Sequence, residues 1–196
     1  MFAMLCASAL AAEREVDLEL GWLGAEDPAY DLFSEADSLS TWGVRAGWPV
    51  MDRLAVVGGW QHGASGMTLQ SGEDLEIATG LWSNAASLGV KADVSMTRWL
   101  SLYATVQGAG LFQLARMDDD PEDDENAGQV EAHGFAPGAY AALGPEFLIP
   151  LGKDKERSLA LYAEFGYGWL APMELGDFGR IQYMGFSGRL GTGVRF

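Results

Sequence analysis

The feature that most limits what this chain can become is an alternation of apolar and polar residues repeated along nearly its whole length. The clearest case is 99–115, where Leu100, Leu102, Ala104, Val106, Phe112 and Leu114 alternate with Ser101, Tyr103, Thr105, Gln107 and Gln113. A strand sends successive side chains to opposite faces, so this pattern makes one oily face and one polar face. In 15–24, Val16, Leu18, Leu20 and Trp22 oppose Asp17 and Glu19, and in 42–50, Trp42, Val44, Ala46 and Trp48 oppose Gly43 and Arg45. Segments 54–62, 80–94, 134–149, 158–170 and 184–196 repeat the theme, giving eight strands in all. A spanning helix would need about 20 consecutive apolar residues, and after the first dozen residues no such run exists.

The connections alternate in length. Short turns fall near Asp52, Thr97 and Asp154, while long, polar, acidic connections span 25–40, 63–79, 117–128 and 171–182. An even number of strands joined by short turns at one end and long loops at the other is the pattern of an outer-membrane barrel. With the N-terminus in the periplasm, the long acidic loops lie outside the cell. The basic residues of the short turns, Arg53, Arg98, Lys153, Lys155 and Arg157, then lie inside. The formal net charge of −16 argues against a nucleic-acid partner, which needs a basic surface to neutralise phosphates.

The final thirteen residues, MGFSGRLGTGVRF, place Phe186, Leu190, Val194 and Phe196 on one parity and stop on an aromatic. Leu190, Val194 and Phe196 resemble the closing-strand signal of bacterial outer-membrane barrels, which the barrel assembly machinery of that membrane recognises. The whole chain from residue 13 to 196 resembles the small eight-stranded family of OmpX and the membrane domain of OmpA. The likeness is architectural, plus that closing strand. Because the sequence ends on the closing strand at Phe196, no peptidoglycan-binding domain is expected and the cell-wall tether of full-length OmpA is not carried over. The expected fold is therefore all-β: a closed eight-stranded antiparallel up-and-down transmembrane β-barrel.

In such a barrel the apolar parity faces lipid and the polar parity faces inward. Asp17, Glu19, Arg45, Lys91, Asp93, Glu146, Glu164, Arg189 and Arg195 are then lumen residues, beside Tyr103, Gln107, Tyr140 and Tyr162. Eight strands enclose a space just wide enough for side chains, so these groups should pair and plug it. Trp22, Trp42, Trp60, Trp82 and Trp169 fall on the apolar parity towards the long-loop ends, as an interfacial girdle requires. Pro137 and Pro145 cannot donate to a ladder and mark expected bulges or strand ends.

Residues 1–12 read as a secretory leader ending in Ala9-Leu10-Ala11, without the usual basic start, which places the recorded start downstream of the true one. Cys6 lies in this leader, and Met4 and Leu5 before it do not suit a lipoprotein signal.

The sequence carries no phosphate-binding glycine loop, zinc spacing or dinucleotide fingerprint, and no cofactor is expected. The function expected is that of a non-enzymatic outer-membrane barrel acting in envelope integrity or surface interaction, with membrane lipid and lipopolysaccharide as neighbours. Asp118, Asp119, Asp120, Asp123 and Asp124 are weak candidates for Ca²⁺ or Mg²⁺, because their spacing matches no ordered calcium loop. Two alternatives remain. One is a lipid-modifying barrel enzyme using His62 with Ser65, or His133 with Glu131, although neither pair forms a recognisable motif. The other is a soluble ligand-binding barrel, which would bury the oily parity instead of exposing it.

Overall fold

The computed structural model describes residues 14–25, 27–70, 76–118, 129–152 and 157–196. The leader at 1–12 and the acids Asp119, Asp120, Asp123 and Asp124 lie outside the described residues. Eight strands form the wall: β1 (Glu15–Gly24), β2 (Ser38–Met51), β3 (Leu54–Gln70), β4 (Glu76–Thr97), β5 (Leu100–Asp118), β6 (Val130–Leu151), β7 (Arg157–Leu170) and β10 (Met184–Arg195). Between β7 and β10, the two-residue strands β8 (Met173–Glu174) and β9 (Arg180–Ile181) pair with each other. The wall is a closed barrel in the order β1-β10-β7-β6-β5-β4-β3-β2, antiparallel throughout.

Closure is made where β1 meets β10, in a register that sets Val16 opposite Val194 and Leu20 opposite Leu190. Alternation along β1 is complete: Glu15, Asp17, Glu19 and Gly21 are buried, whereas Val16, Leu18, Leu20 and Trp22 are exposed. The same inversion holds around the ring, with Leu18 at 63%, Leu88 at 67% and Leu143 at 68% exposure while Asp17 and Glu164 are at 0%. An oily outer surface around ionised side chains is the reverse of a water-soluble barrel, and it rules out the soluble ligand-binding reading.

The strands run further than the sequence pattern indicates. The segment 63–79, read as a loop, is mostly ladder: Gly63 pairs with Ser83, Gly66 with Gly80 and Leu69 with Ile77. Gly63 to Gly66 and Ala78 to Gly80 are small or polar on both parities, and the large apolar residues Met67, Leu69 and Ile77 are too few and too interrupted by the polar run Gln70 to Asp74 to show a period-two pattern. β2, β5 and β6 extend likewise, to Ser38, Asp118 and Val130. As a result β3, β4, β5 and β6 stand out beyond their neighbours at the long-loop end as a four-stranded sheet.

The two prolines sit at ladder interruptions. β6–β7 pairing stops at Gly138, next to Pro137, whose carbonyl accepts from the Ala171 N–H. It also lapses at Gly144 and Pro145 between the pairs Leu143–Phe165 and Glu146–Tyr162, with no change of register and hence no bulge. The segment 171–182, read as a plain loop, contains β8, a 3-10 turn at Gly176–Phe178 and β9.

Closure also explains one glycine. A Cβ on Gly193 would collide with Asp17 Oδ1 and the Val16 carbonyl across the β1–β10 seam. Replacing Gly193 by valine should block seam pairing, so that the refolded protein loses the difference in gel migration between unheated and boiled samples. The neighbouring exposed change Thr192→Val should preserve it.

Candidate functional site

The interior has two storeys of opposite chemistry. At the short-turn end five carboxylates, Glu15, Asp17, Glu19, Glu146 and Glu164, are buried with Arg45, Lys91 and Arg195, and Arg189 joins them with 11% of its side chain exposed. Each occupies the inward parity of its strand, which is why a linear alternation assembles a three-dimensional cluster.

Arg45 lies at the centre. Its guanidinium meets Asp17 at 3.2 Å and Glu164 at 3.1 Å and stacks 4.4 Å from the centre of the Tyr162 ring. Lys91 Nζ is 2.6 Å from Glu15 and 3.3 Å from Glu146. Arg195 donates to Asp17 at 2.5 Å and pairs with Glu146, linking the closing strand to β1 and β6. Arg189 sits 3.4 Å from Glu164 and 4.2 Å from the centre of the Tyr140 ring. The hydroxyls of Tyr103 and Tyr140 donate to Glu164, and that of Tyr162 donates to Glu19, which also accepts from Gln61.

A charge buried without partners costs several kcal/mol, so the multiple contacts of each carboxylate are what permit the cluster. Asp93, also placed in the lumen by the sequence pattern, is only half-buried near the short-turn rim. Glu15, which the sequence reading treated only as a strand boundary, is a full member. Its parity with Asp17 and Glu19 was the signal that identifies it.

The upper storey is apolar. Leu39, Leu81, Leu111, Ala115, Ala136 and Leu170 point inward from the wall and pack against Tyr30 and Phe33 from the β1–β2 connection and Met173, Leu175, Phe178, Ile181 and Tyr183 from the β7–β10 connection. Phe33 and Phe178 rings lie 5.5 Å apart, and Tyr30 meets Tyr183 edge-on at 5.8 Å. Asp27 ties the two connections, accepting from the Ala29 and Gln182 backbone N–H groups. Several buried polar tips are paired: Tyr30 donates to the Ser38 carbonyl, Thr79 to the Leu32 carbonyl, and Gln113 to Tyr183 and Ser83, while Gln113 Oε1 meets no hydrogen-bond partner among the described residues. Burial pushes the Tyr30 and Tyr183 phenols above their ordinary range. The apolar parity alone does not reveal this plug. Its signal was the appearance of Leu39, Leu81, Leu111 and Leu170 on the otherwise polar one.

On the outer face, Trp22, Trp42, Trp60, Trp82 and Trp169 are 38–52% exposed. Trp42 and Trp60 meet edge-on at 5.5 Å, with His62 stacked on Trp60 at 6.0 Å and held to Asn84 at 3.2 Å. Trp48, Trp99 and Phe147 are exposed at the opposite, short-turn end, where Trp99 and Phe147 stack at 6.1 Å. Leu190, Val194 and Phe196 face outward. His62 and Ser65 occupy opposite parities of β3, so the strand directs them to opposite faces of the wall and they cannot act as a pair. His133 lies 6.5 Å from the Phe112 ring, and Glu131 is ion-paired to Arg116. Among the described residues no group of three or more His, Cys, Asp or Glu is arranged to hold a metal ion, and Asp118, at the end of β5, is the one metal candidate that is described.

No family model matches the sequence, and no curated protein matches it. Among solved structures, the chain is similar to Ail, the attachment invasion locus protein of Yersinia pestis, at 11% identity and a TM-score of 0.53, covering 95% of this chain and 100% of that one. It is also similar to the outer membrane protein OprG from Pseudomonas aeruginosa, at 9% identity and a TM-score of 0.52, covering 95% and 97% of the two chains. At such identities the likeness concerns the fold. The chain has the fold of the small eight-stranded bacterial outer-membrane β-barrels.

The central position of Arg45 generates a test. Arg45→Met leaves Asp17 and Glu164 short of their shared cation and should lower the unfolding free energy in lipid vesicles by roughly 3–5 kcal/mol, read from urea titration. Truncating the exposed Thr192 to alanine should cost less than about 0.5 kcal/mol.

Proposed function

We propose that the protein is an integral, non-enzymatic component of the bacterial outer membrane, closed to solute flow, whose role is carried by its outward-facing end. The observation that carries this is the pairing of an oily exterior with a sealed interior: exposed Leu18, Val106, Leu143 and Phe165 surround the buried Arg45–Asp17–Glu164 network, with the apolar plug above it. Lipid is the solvent that suits such an exterior, and aromatic side chains at both strand ends suit the two interfaces. Envelope integrity and surface interaction are the roles open to a barrel of this kind.

The N-terminus and short turns are assigned to the periplasm and the long connections to the cell surface, where lipopolysaccharide surrounds them. This orientation follows the usual arrangement of such barrels. Leu190, Val194 and Phe196 are proposed as the signal read by the barrel assembly machinery. A lipid-modifying reaction is not proposed, since the strand separates His62 from Ser65.

Three measurements test this reading. The full chain should fractionate with outer membranes and change its gel migration on boiling; recovery in the aqueous fraction without detergent would refute the membrane assignment. A protease site inserted within 119–128 should be cut in intact cells, whereas one placed at the 52–53 turn should be cut only after the envelope is opened. In planar bilayers the protein should show no steady conductance, and Phe196→Ala should slow its assembly several-fold without changing the fold finally reached.

A further inference from the structure

On its outer face, from Trp82 upward, the protruding sheet carries a depression of about 510 Å³ across β3, β4 and β5. Its floor is built from Ala64, Gly66, Ala78 and Gly80, the smallest side chains there are. Gly66 pairs with Gly80, and these residues share the outward parity. Trp82, Arg116, Asp118 and Gln129 surround the floor. The ladder fixes three of them: Trp82 lies opposite Ala64, Arg116 opposite Gly80 and Asp118 opposite Ala78.

The floor glycine has a specific use. A Cβ at Gly80 would come within 2.8 Å of the Trp82 ring, so glycine is what lets the indole lie flat along the groove instead of standing away from it. The Arg116 guanidinium lies 5.7 Å from the centre of that ring. Its Nη2 pairs with Glu131 and its Nε is buried, which among the described residues leaves Nη1 as the guanidinium nitrogen free to face a ligand.

An aromatic plate bordered by a guanidinium, a carboxylate and an amide fits one ligand chemistry well. The C–H face of a sugar ring covers the indole, and its neighbouring hydroxyls both donate and accept, matching the donor on Arg116 and the donor and acceptor of the Gln129 amide. An anion fits poorly, because the charge of Arg116 is offset by Glu131 and Asp118 stands on the same wall. A wholly apolar ligand would leave the charged wall desolvated and unmatched. The size lies within the roughly 300–1,000 Å³ of ordinary small-ligand sites.

We infer that this groove binds a neutral saccharide of one or two rings. The inference depends on the surface role proposed above only for where the sugar comes from, since the groove's chemistry is the same wherever the protein resides. A glycan of the surrounding envelope and a glycan met outside the cell present the same ring and hydroxyls.

The test uses the full chain refolded in a detergent without a sugar headgroup. Lactose, maltose, cellobiose and a neutral heptose disaccharide of the kind found in lipopolysaccharide core are titrated separately, with saturation-transfer NMR as the readout. Saturable binding of at least one of them is expected. Trp82→Ala should weaken it by about tenfold or more, and Ala64→Leu or Ala78→Leu, which fill the floor, should weaken it comparably while boiling-dependent gel migration is retained.

Binding of the heptose disaccharide alone assigns the groove to the envelope's own glycan, and binding of lactose, maltose or cellobiose assigns it to an external one. No saturable binding of any probe overturns the inference. So does binding that is indifferent to both Trp82→Ala and Ala78→Leu, or salt-sensitive binding of sucrose octasulfate in preference to every neutral sugar. A protein that fractionates with the outer membrane but binds no sugar refutes the groove and leaves the barrel assignment intact.

Discussion

From Val16 opposite Val194 to Leu23 opposite Ser187, the first and last strands of the wall pair along the seam that makes a sheet into a cylinder. In a hydrocarbon solvent there is no water to satisfy an open edge, so every backbone N–H and C=O at membrane depth must find a partner within the protein. Most other features follow from that requirement. Closing eight strands fixes a narrow bore, and the bore must be filled by the inward parity. The seam is also chemically marked on its inner side: Arg195 on β10 donates to Asp17 on β1 and pairs with Glu146 on β6, so closing the wall and completing the ion network are the same event.

The bore is filled in two ways because its ends meet different surroundings. Within the membrane-spanning part the wall offers polar groups, and five carboxylates, four cations and the phenols of Tyr103, Tyr140 and Tyr162 pair with one another in a single network. Above it the wall presents leucine and alanine, and two connections fold inward to cover them. This upper plug is a small soluble-type core set in the mouth of a membrane barrel. The exposed parity is apolar in the span and becomes polar with Arg116 and Glu131 on the protruding sheet. The change gives the protein a lipid-facing zone and, beyond it, a polar surface.

Fold and lumen were readable to different depths. Strand identity and facing were legible in β1, β5 and β7 because each alternates chemically contrasting residues. The barrel order followed from strand number and from the alternation of connection lengths. The extended halves of β3 and β4 were not legible, because Ala64, Gly66 and Ala78 contrast little with their neighbours in size or polarity. The lumen residues were legible one at a time, from parity. Their partners were not: Arg45 and Glu164 are separated by 119 positions and meet only because β2 and β7 line the same bore.

The sequence by itself determined which side chains face outward and which inward, since the period of a strand is two and cannot slip by one residue without turning every side chain over. It also determined the closing strand and the clustering of aromatics near strand ends. Only the tertiary structure decided which inward charges neutralise one another, that two long connections fold back as a plug, and that four small residues of β3 and β4 open a groove beside Trp82. These depend on distances across a closed ring, which the relative stagger of the strands sets and which no single segment encodes.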